Sequence, residues 1–276
     1  MTHKSISIIK EKRNGEQRVI LLPSSVKEFT QRGYRVYVED RAGESSGYSN
    51  EDYRCSGAEI VSTEQAWNNS DLIFKYKAPG PEEYQFFRPE MILACFMHAE
   101  GNLEMTEAMR ASGMSAYALE FFRTDKNQYP VPVSDNEISG KLAIHLAAYH
   151  LQSHMGGRGV LLSGAPGAPR PKVVVIGYGN AGGAAAKLAA AMGADVTVFG
   201  TRWEGLRQFM ANSSSNITCL INTKEALEKS VLEADVVVGA ILISTYDTEP
   251  MLSEDLVKKM KPGSVIVDVT CGYGKG

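Results

Sequence analysis

The segment VVVIGYGNAG at 173–182 constrains this chain more than any other. A β-branched run stops at Gly177, and an Ala- and Gly-rich stretch of helical character, 181–192, begins four residues later. This is a G-x-G-x-x-G placed between a strand and a helix, the context in which the motif holds a dinucleotide. Gly177 permits the tight turn, Gly179 removes the Cβ that would block a pyrophosphate, and Gly182 lets the helix lie against the strand. The helix N-terminus then offers N–H donors and a positive dipole end to phosphate. Contacts to the cofactor are expected from Gly177, Gly179, Asn180, Ala181 and Gly182.

Strand-like runs at 195–199, 217–221, 235–240 and 264–269 alternate with helical patterns and complete a Rossmann domain. The second strand ends in GTR at 200–202, where an Asp or Glu ordinarily holds the ribose hydroxyls. Gly200 removes that carboxylate, and Arg202 offers a guanidinium to a 2′-phosphate. NADP(H) is therefore favoured, with NAD(H) the alternative. Thr201, Arg202 and Ala240, at the end of the fourth run, join the cofactor candidates.

The first half repeats the alternation, with strand-like runs at 5–9, 34–39, 71–75, 91–95 and 115–119 and a helix over 23–32 opened by Pro23 and closed by Gly33. Residues 124–135, with Pro130 and Pro132, read as a linker, and 137–154 as a long helix. The expected architecture is α/β with two doubly wound domains, a substrate and catalytic domain at 1–134 and a dinucleotide-binding Rossmann domain at 135–276.

Two domains suit 276 residues. With 43% hydrophobic and 22% charged residues the composition is that of an ordinary soluble protein, which excludes disorder and collagen-like structure. A net charge of -3 gives no basic footprint for nucleic acid. The apolar runs fall short of the ~20 residues of a membrane span, and no secretory signal opens the chain. Cys55, Cys95, Cys219 and Cys271 form no CxxC pair, so buried free thiols in a cytoplasmic protein are expected. His145, His150 and His154 have no acidic or Cys partner at ligand spacing, so no metal is expected and packing or capping is assigned to them.

Two segments of the first half carry chemistry together: KYKAP at 75–79 and LACFMH at 93–98, which set Lys77 and His98 21 positions apart. With EQRV at 16–19, AGESSG at 42–47, GAEI at 57–60, YHLQ at 149–152, GGRGVL at 156–161, the glycine motif and KPGSVIVD at 261–268, the chain resembles the alanine dehydrogenase and transhydrogenase α-subunit family over nearly its whole length. The resemblance implies a two-domain enzyme whose cleft sets a nicotinamide against a small 2-oxo acid. It implies that Arg18 binds the substrate carboxylate, Lys77 contacts the carboxylate or carbonyl oxygen, and His98 acts as acid and base. Those residue types suit the tasks: a guanidinium grips a carboxylate bidentately, and an imidazole delivers a proton.

The chain departs from the family's pattern in three places. It reads DVTCG at 268–272, without the Asp that the family carries four residues after the position of Asp268, and ISTYDTEP at 243–250 replaces a Pro-Gly-Ala-Lys type loop. Family members usually continue past the position of Gly276 through a segment that completes the first domain, so a C-terminally truncated or shortened chain is expected. RVYVED at 35–40 and YALEFF at 117–122 are similar instead to lysine-forming saccharopine dehydrogenases.

The leading expectation is an NAD(P)H-dependent amino acid dehydrogenase that reduces the imine of a small 2-oxo acid, with an amine donor as second substrate and a homo-oligomeric assembly. The alternatives are an opine-type N-carboxyalkyl amino acid synthase or saccharopine dehydrogenase-like imine reductase, and a non-catalytic NADP-binding module or transhydrogenase-like subunit. The spacing from Lys77 to His98 favours the first.

Overall fold

Every apolar run marked above lies in a strand of one of two parallel sheets. A computed structural model of the chain describes residues 5–126, 128–241 and 250–270, and two compact units, Met1–Val131 and Pro132–Gly276, make it up.

The first unit contains β1 (Ser5–Ile8), α1 (Pro23–Gln31), β2 (Arg35–Glu39), α2 (Asn50–Cys55), β3 (Glu59–Val61), α3 (Thr63–Asn68), β4 (Leu72–Lys77), β5 (Ile92–Phe96), α4 (Leu103–Ser112) and β6 (Ser115–Ala118). Its sheet runs β3-β2-β1-β4-β5-β6. The sequence pattern misses β3, which is three residues long and carries no buried residue. One core packs Val26 of α1 and Tyr53 of α2 on Ile8, Val36 and Val38. A second packs Trp67 of α3 and Met105 and Met109 of α4 on Ile73, Leu93 and Cys95. The winding reverses between β1 and β4, and open parallel sheets take ligands in the crevice outside the carboxyl ends of strands at such a point. Phe74 sits opposite Ala94 but Lys77 opposite Phe96, so three residues of β4 face two of β5. That extra residue is a β-bulge, a device that re-aims a side chain.

The second unit contains α5 (Val133–His150), β7 (Lys172–Ile176), α6 (Asn180–Met192), β8 (Asp195–Gly200), α7 (Trp203–Ala211), β9 (Ile217–Ile221), α8 (Lys224–Glu233), β10 (Val236–Gly239), α9 (Glu254–Val257) and β11 (Val265–Asp268). The sheet order is β11-β10-β7-β8-β9, all parallel, with the reversal between β7 and β10. Helices α5 and α6 cover one face through Ala143, Ile144, Ala147, Ala185, Ala186 and Ala189. On the other, Leu227, Val231 and Leu256 of α8 and α9 pack against Val174, Ile176 and Val237. Helix α5 starts four residues before the expected point, directly after Pro132, where a missing N–H costs the helix nothing. Small residues bring α5 to backbone contact with α6: a Cβ on Gly140 would run into the Ala181 carbonyl.

Asp235 ties together two segments that carry the family resemblance. Its Oδ1 receives Arg158 Nε at 3.0 Å and Lys261 Nζ at 3.2 Å, and its Oδ2 the Lys172 N–H at 2.8 Å. GGRGVL and KPGSVIVD therefore meet at the amino end of the sheet, away from the glycine turn, in a structural role.

Two expectations need correction. Of the described cysteines only Cys95 is buried; Cys55 is exposed, Cys219 half-buried, and Cys271 lies outside the described residues. The histidines of α5 and the following turn are on the surface rather than packed in the core: His145, His150 and His154 are all exposed. His150 and His154 meet Tyr149 edge-on, with ring centroids 5.3 and 6.2 Å away. Among the described residues no group of His, Cys, Asp or Glu forms a metal-binding cluster, and no helix is long and apolar enough to cross a membrane.

Candidate active site

The first unit gathers Arg18, Lys77 and His98 beyond the carboxyl ends of β1, β4 and β5. Arg18 lies in the loop after β1, with its guanidinium carbon 4.1 Å from the centroid of the Tyr76 ring. Its Nη1 donates to the Tyr76 hydroxyl at 3.0 Å. Its Nε and Nη2 reach the two carboxylate oxygens of Glu16 at 2.8 and 2.7 Å. Burial opposes ionisation of Glu16, but the Arg18 hydrogen bonds and charge outweigh it and hold the carboxyl below its ordinary value. Lys77 Nζ is 5.7 Å from the Tyr76 ring and 5.5 Å from that of Phe96. The face of an aromatic ring attracts cations, so Tyr76 allows two of them to share one small region.

His98 follows β5 in the left-handed backbone region, at φ 45° and ψ 47°. The Glu120 carboxylate accepts the backbone N–H of His98 at 2.7 Å and of Met97 at 3.0 Å, which fixes this turn. Half-burial, and then the Lys77 charge, lower the imidazole pKa below its ordinary value. Sequence reasoning missed Tyr76, Glu16 and Glu120 as partners. Glu16 was within reach as a carboxylate two residues from a candidate Arg, and Glu120 stands in a segment, 117–122, read only for its likeness to another family.

In the second unit Gly177 and Gly182 stand where a side chain would not fit. Gly177, at φ 103°, would with a Cβ come 2.5 Å from the Ala240 carbonyl oxygen. A Cβ on Gly182 would be driven into the Gly177 carbonyl and reach 3.2 Å from the Ala240 Cβ. Gly177, Gly182 and Ala240 are thus one packed contact between β7, β10 and α6. Gly179 differs: a Cβ there would meet nothing within 4 Å and would project into open space. Asn180 and Ala181 open α6, which has neither a side-chain cap nor an acidic residue in its first turn. A cradle of this kind, roomy at Gly179 and lined by helix N–H groups, fits a diphosphate.

Position 200 has a packing explanation. The Tyr178 ring lies over Gly200 and Gly205, so that a Cβ at either would strike it, and its hydroxyl donates to the Arg202 carbonyl at 3.3 Å. The ring leaves no room for a side chain at position 200. Thr201 and Arg202 are exposed just beyond it. Residues 243–249 of the rebuilt loop and Gly272, where the family has Asp, lie outside the described residues.

The N-terminal domain of the alanine dehydrogenase/PNT family matches residues 7–136, and its C-terminal domain matches 143–275. The chain belongs to the alanine dehydrogenase/PNT family. It is 38% identical to the alanine dehydrogenase of Bacillus subtilis over 98% of its own length and 71% of that protein's. It is 37% identical to that of Mycolicibacterium smegmatis, covering 98% and 73%. An L-alanine dehydrogenase structure superposes with a TM-score of 0.87 at 35% identity, over 98% of this chain and 75% of that one. The transhydrogenase from Sinorhizobium meliloti gives 0.76 at 26% identity, over 95% and 77%. As an alanine dehydrogenase/PNT member the chain is an oxidoreductase of the alanine dehydrogenase class, acting on CH–NH bonds. The dinucleotide implied for the second unit is a nicotinamide one, and the glycine cradle fits it.

Proposed function

We propose that the enzyme interconverts pyruvate, or a 2-oxo acid of similar size, and the matching amino acid, with ammonia as amine donor and NADP(H) preferred. The observation that carries this reading is the convergence of Arg18, Lys77 and His98 at the switch point of the first unit. Arg18 and Lys77 are cations suited to the substrate carboxylate and carbonyl oxygen. Arg18, already braced by Glu16 and Tyr76, presents its guanidinium with little further loss of freedom. His98, neutral in its resting state, takes a proton from the substrate nitrogen in the oxidative direction and returns it in the reductive one. When bound, the nicotinamide supplies or accepts the hydride. Orientation of the substrate by the two cations contributes much of the rate.

NADPH oxidation measured with pyruvate or glyoxylate, plus ammonium or a panel of amino acids, tests the reading. Turnover with amino acids but not ammonium points to an opine-type synthase, and none under any condition to a non-catalytic binding module.

The cofactor preference rests on the carboxylate-free end of β8 and the exposed Arg202. A charge-assisted hydrogen bond is worth about 1.5–3 kcal/mol. Replacing Arg202 by Gln is therefore expected to raise the Michaelis constant for NADPH by roughly 10- to 100-fold, and that for NADH far less. Equal effects would remove the 2′-phosphate argument. A homo-oligomer is supported by the apolar stripe Ile138, Leu142, Leu146 and Tyr149, exposed along α5.

A further inference from the structure

Beneath Lys77 lies a buried charge cluster to which the roles above give no task. The side chains of Lys75, Glu83 and Glu11 are 1%, 1% and 4% exposed. Lys75 Nζ is 3.1 Å from Glu83 Oε1 and 3.6 Å from Glu11 Oε2, and it reaches the Lys10 carbonyl at 3.5 Å. Two carboxylates thus share one ammonium in the interior. Such a group is a poor source of stability, because desolvation offsets the attraction and apolar side chains of equal volume often do as well. Burial accordingly pushes the Glu11 carboxyl above its ordinary value in spite of Lys75, and its Oε2 receives no hydrogen bond.

What the cluster holds is backbone. Glu11 accepts the Tyr76 N–H on Oε1 at 2.7 Å and also the Lys77 N–H. Glu83 Oε2 accepts the Gly80 N–H at 2.9 Å. These donors begin at the bulge of β4, where the ladder to β5 is interrupted and buried N–H groups need another acceptor. With Lys75 bridging the two carboxylates, the segment 76–80 is clamped from its buried side at both ends.

We infer that Glu11 is the positioning residue for Lys77: its carboxylate takes up the N–H groups left over by the bulge and so fixes the direction in which Lys77 and Tyr76 leave the strand. The inference rests on the reading of Lys77 as a substrate ligand. Glu11 touches no reacting atom, and its effect passes through the backbone of β4.

The test compares Glu11→Leu, Glu11→Gln and Lys77→Ala in the full chain with pyruvate, ammonium and NADPH. Leu fills the volume without an acceptor, whereas Gln keeps Oε1. The expected result is a rise of roughly tenfold or more in KM for pyruvate in Glu11→Leu, the equivalent of about one lost hydrogen-bonded contact. The turnover number changes less, and the NADPH dissociation constant, read by calorimetry, does not move. Glu11→Gln recovers KM to within about threefold of the parent, since a neutral acceptor suffices. A parental KM in Glu11→Leu alongside a raised one in Lys77→Ala overturns the positioning role. Equal impairment in Leu and Gln overturns the acceptor argument. An unchanged KM in Lys77→Ala removes the reading of Lys77 and this inference with it. If Glu11→Leu loses its cooperative thermal transition, Glu11→Gln decides alone: a KM near the parent's supports the clamp, and a tenfold rise overturns it.

Discussion

Turnover in His98→Ala is expected to fall by about 10²- to 10⁴-fold, the usual contribution of a positioned acid or base, while NADPH binding stays within roughly twofold by calorimetry. The two effects separate because His98 belongs to the first unit and the glycine cradle to the second. Alanine leaves the backbone contacts to Glu120 available, as they involve only the N–H groups of residues 97 and 98. The pH profile gives an independent reading. Burial first, and then Lys77, keep the imidazole pKa below 6.5. In the oxidative direction the neutral form is the base, so kcat/KM falls as pH drops through that lowered value and does not respond to this group above 6.5. His98→Ala removes this limb. Stability follows the same sign: between the lowered folded value and 6.5 the unfolded chain binds more protons, so the group withdraws stability as pH falls through that window. Unchanged turnover in His98→Ala would refute its role.

The second large effect separates two glycines of one motif. Gly182→Val drives a side chain into the Gly177 carbonyl, which is backbone and cannot turn aside. Overpacking of this kind costs about 3 kcal/mol or more, so the melting temperature is expected to drop by roughly 6–12 °C and dinucleotide binding to be lost with the geometry of the turn. Gly179→Ala places its methyl group in open space, at a φ of -65° that alanine accepts. It is expected to melt with the parent protein yet bind NADPH at least about tenfold more weakly, because the methyl occupies the approach of the pyrophosphate. Calorimetry and thermal denaturation of the two variants distinguish a glycine needed by the fold from one needed by the ligand. A Gly179→Ala protein with parental affinity would mean that no phosphate passes there.

Much of this was legible in the residues. Period and punctuation locate ten of the strands, most of them apolar runs of four to six residues, and they fail at β3, which is only three residues long and half-buried at Ile60 and Val61. The glycine motif specifies its own turn because Gly177 and Gly182 each answer a local steric demand. The first-unit site was legible only in part. Arg18, Lys77 and His98 can be named from motif likeness and Glu16 from its place two residues before Arg18, but Tyr76, Glu120 and Glu11 depend on which strand ends the topology brings together. The bulge of β4, which gives Lys77 and Tyr76 their exit, follows from pairing with β5, and no spacing within 72–77 announces it. Likeness alone assigns no role: of GGRGVL and KPGSVIVD, quoted above for the resemblance, Arg158 and Lys261 hold Asp235.

The left-handed backbone at His98 has an evolutionary price. A residue with a Cβ gives up about 1–2 kcal/mol in that conformation, which glycine would recover. His98→Gly should therefore outlast His98→Ala on heating, by roughly 2–8 °C. A mutant library screened only for heat tolerance should drift to glycine at this position, and the persistence of histidine in a lineage would then record selection for chemistry acting against durability.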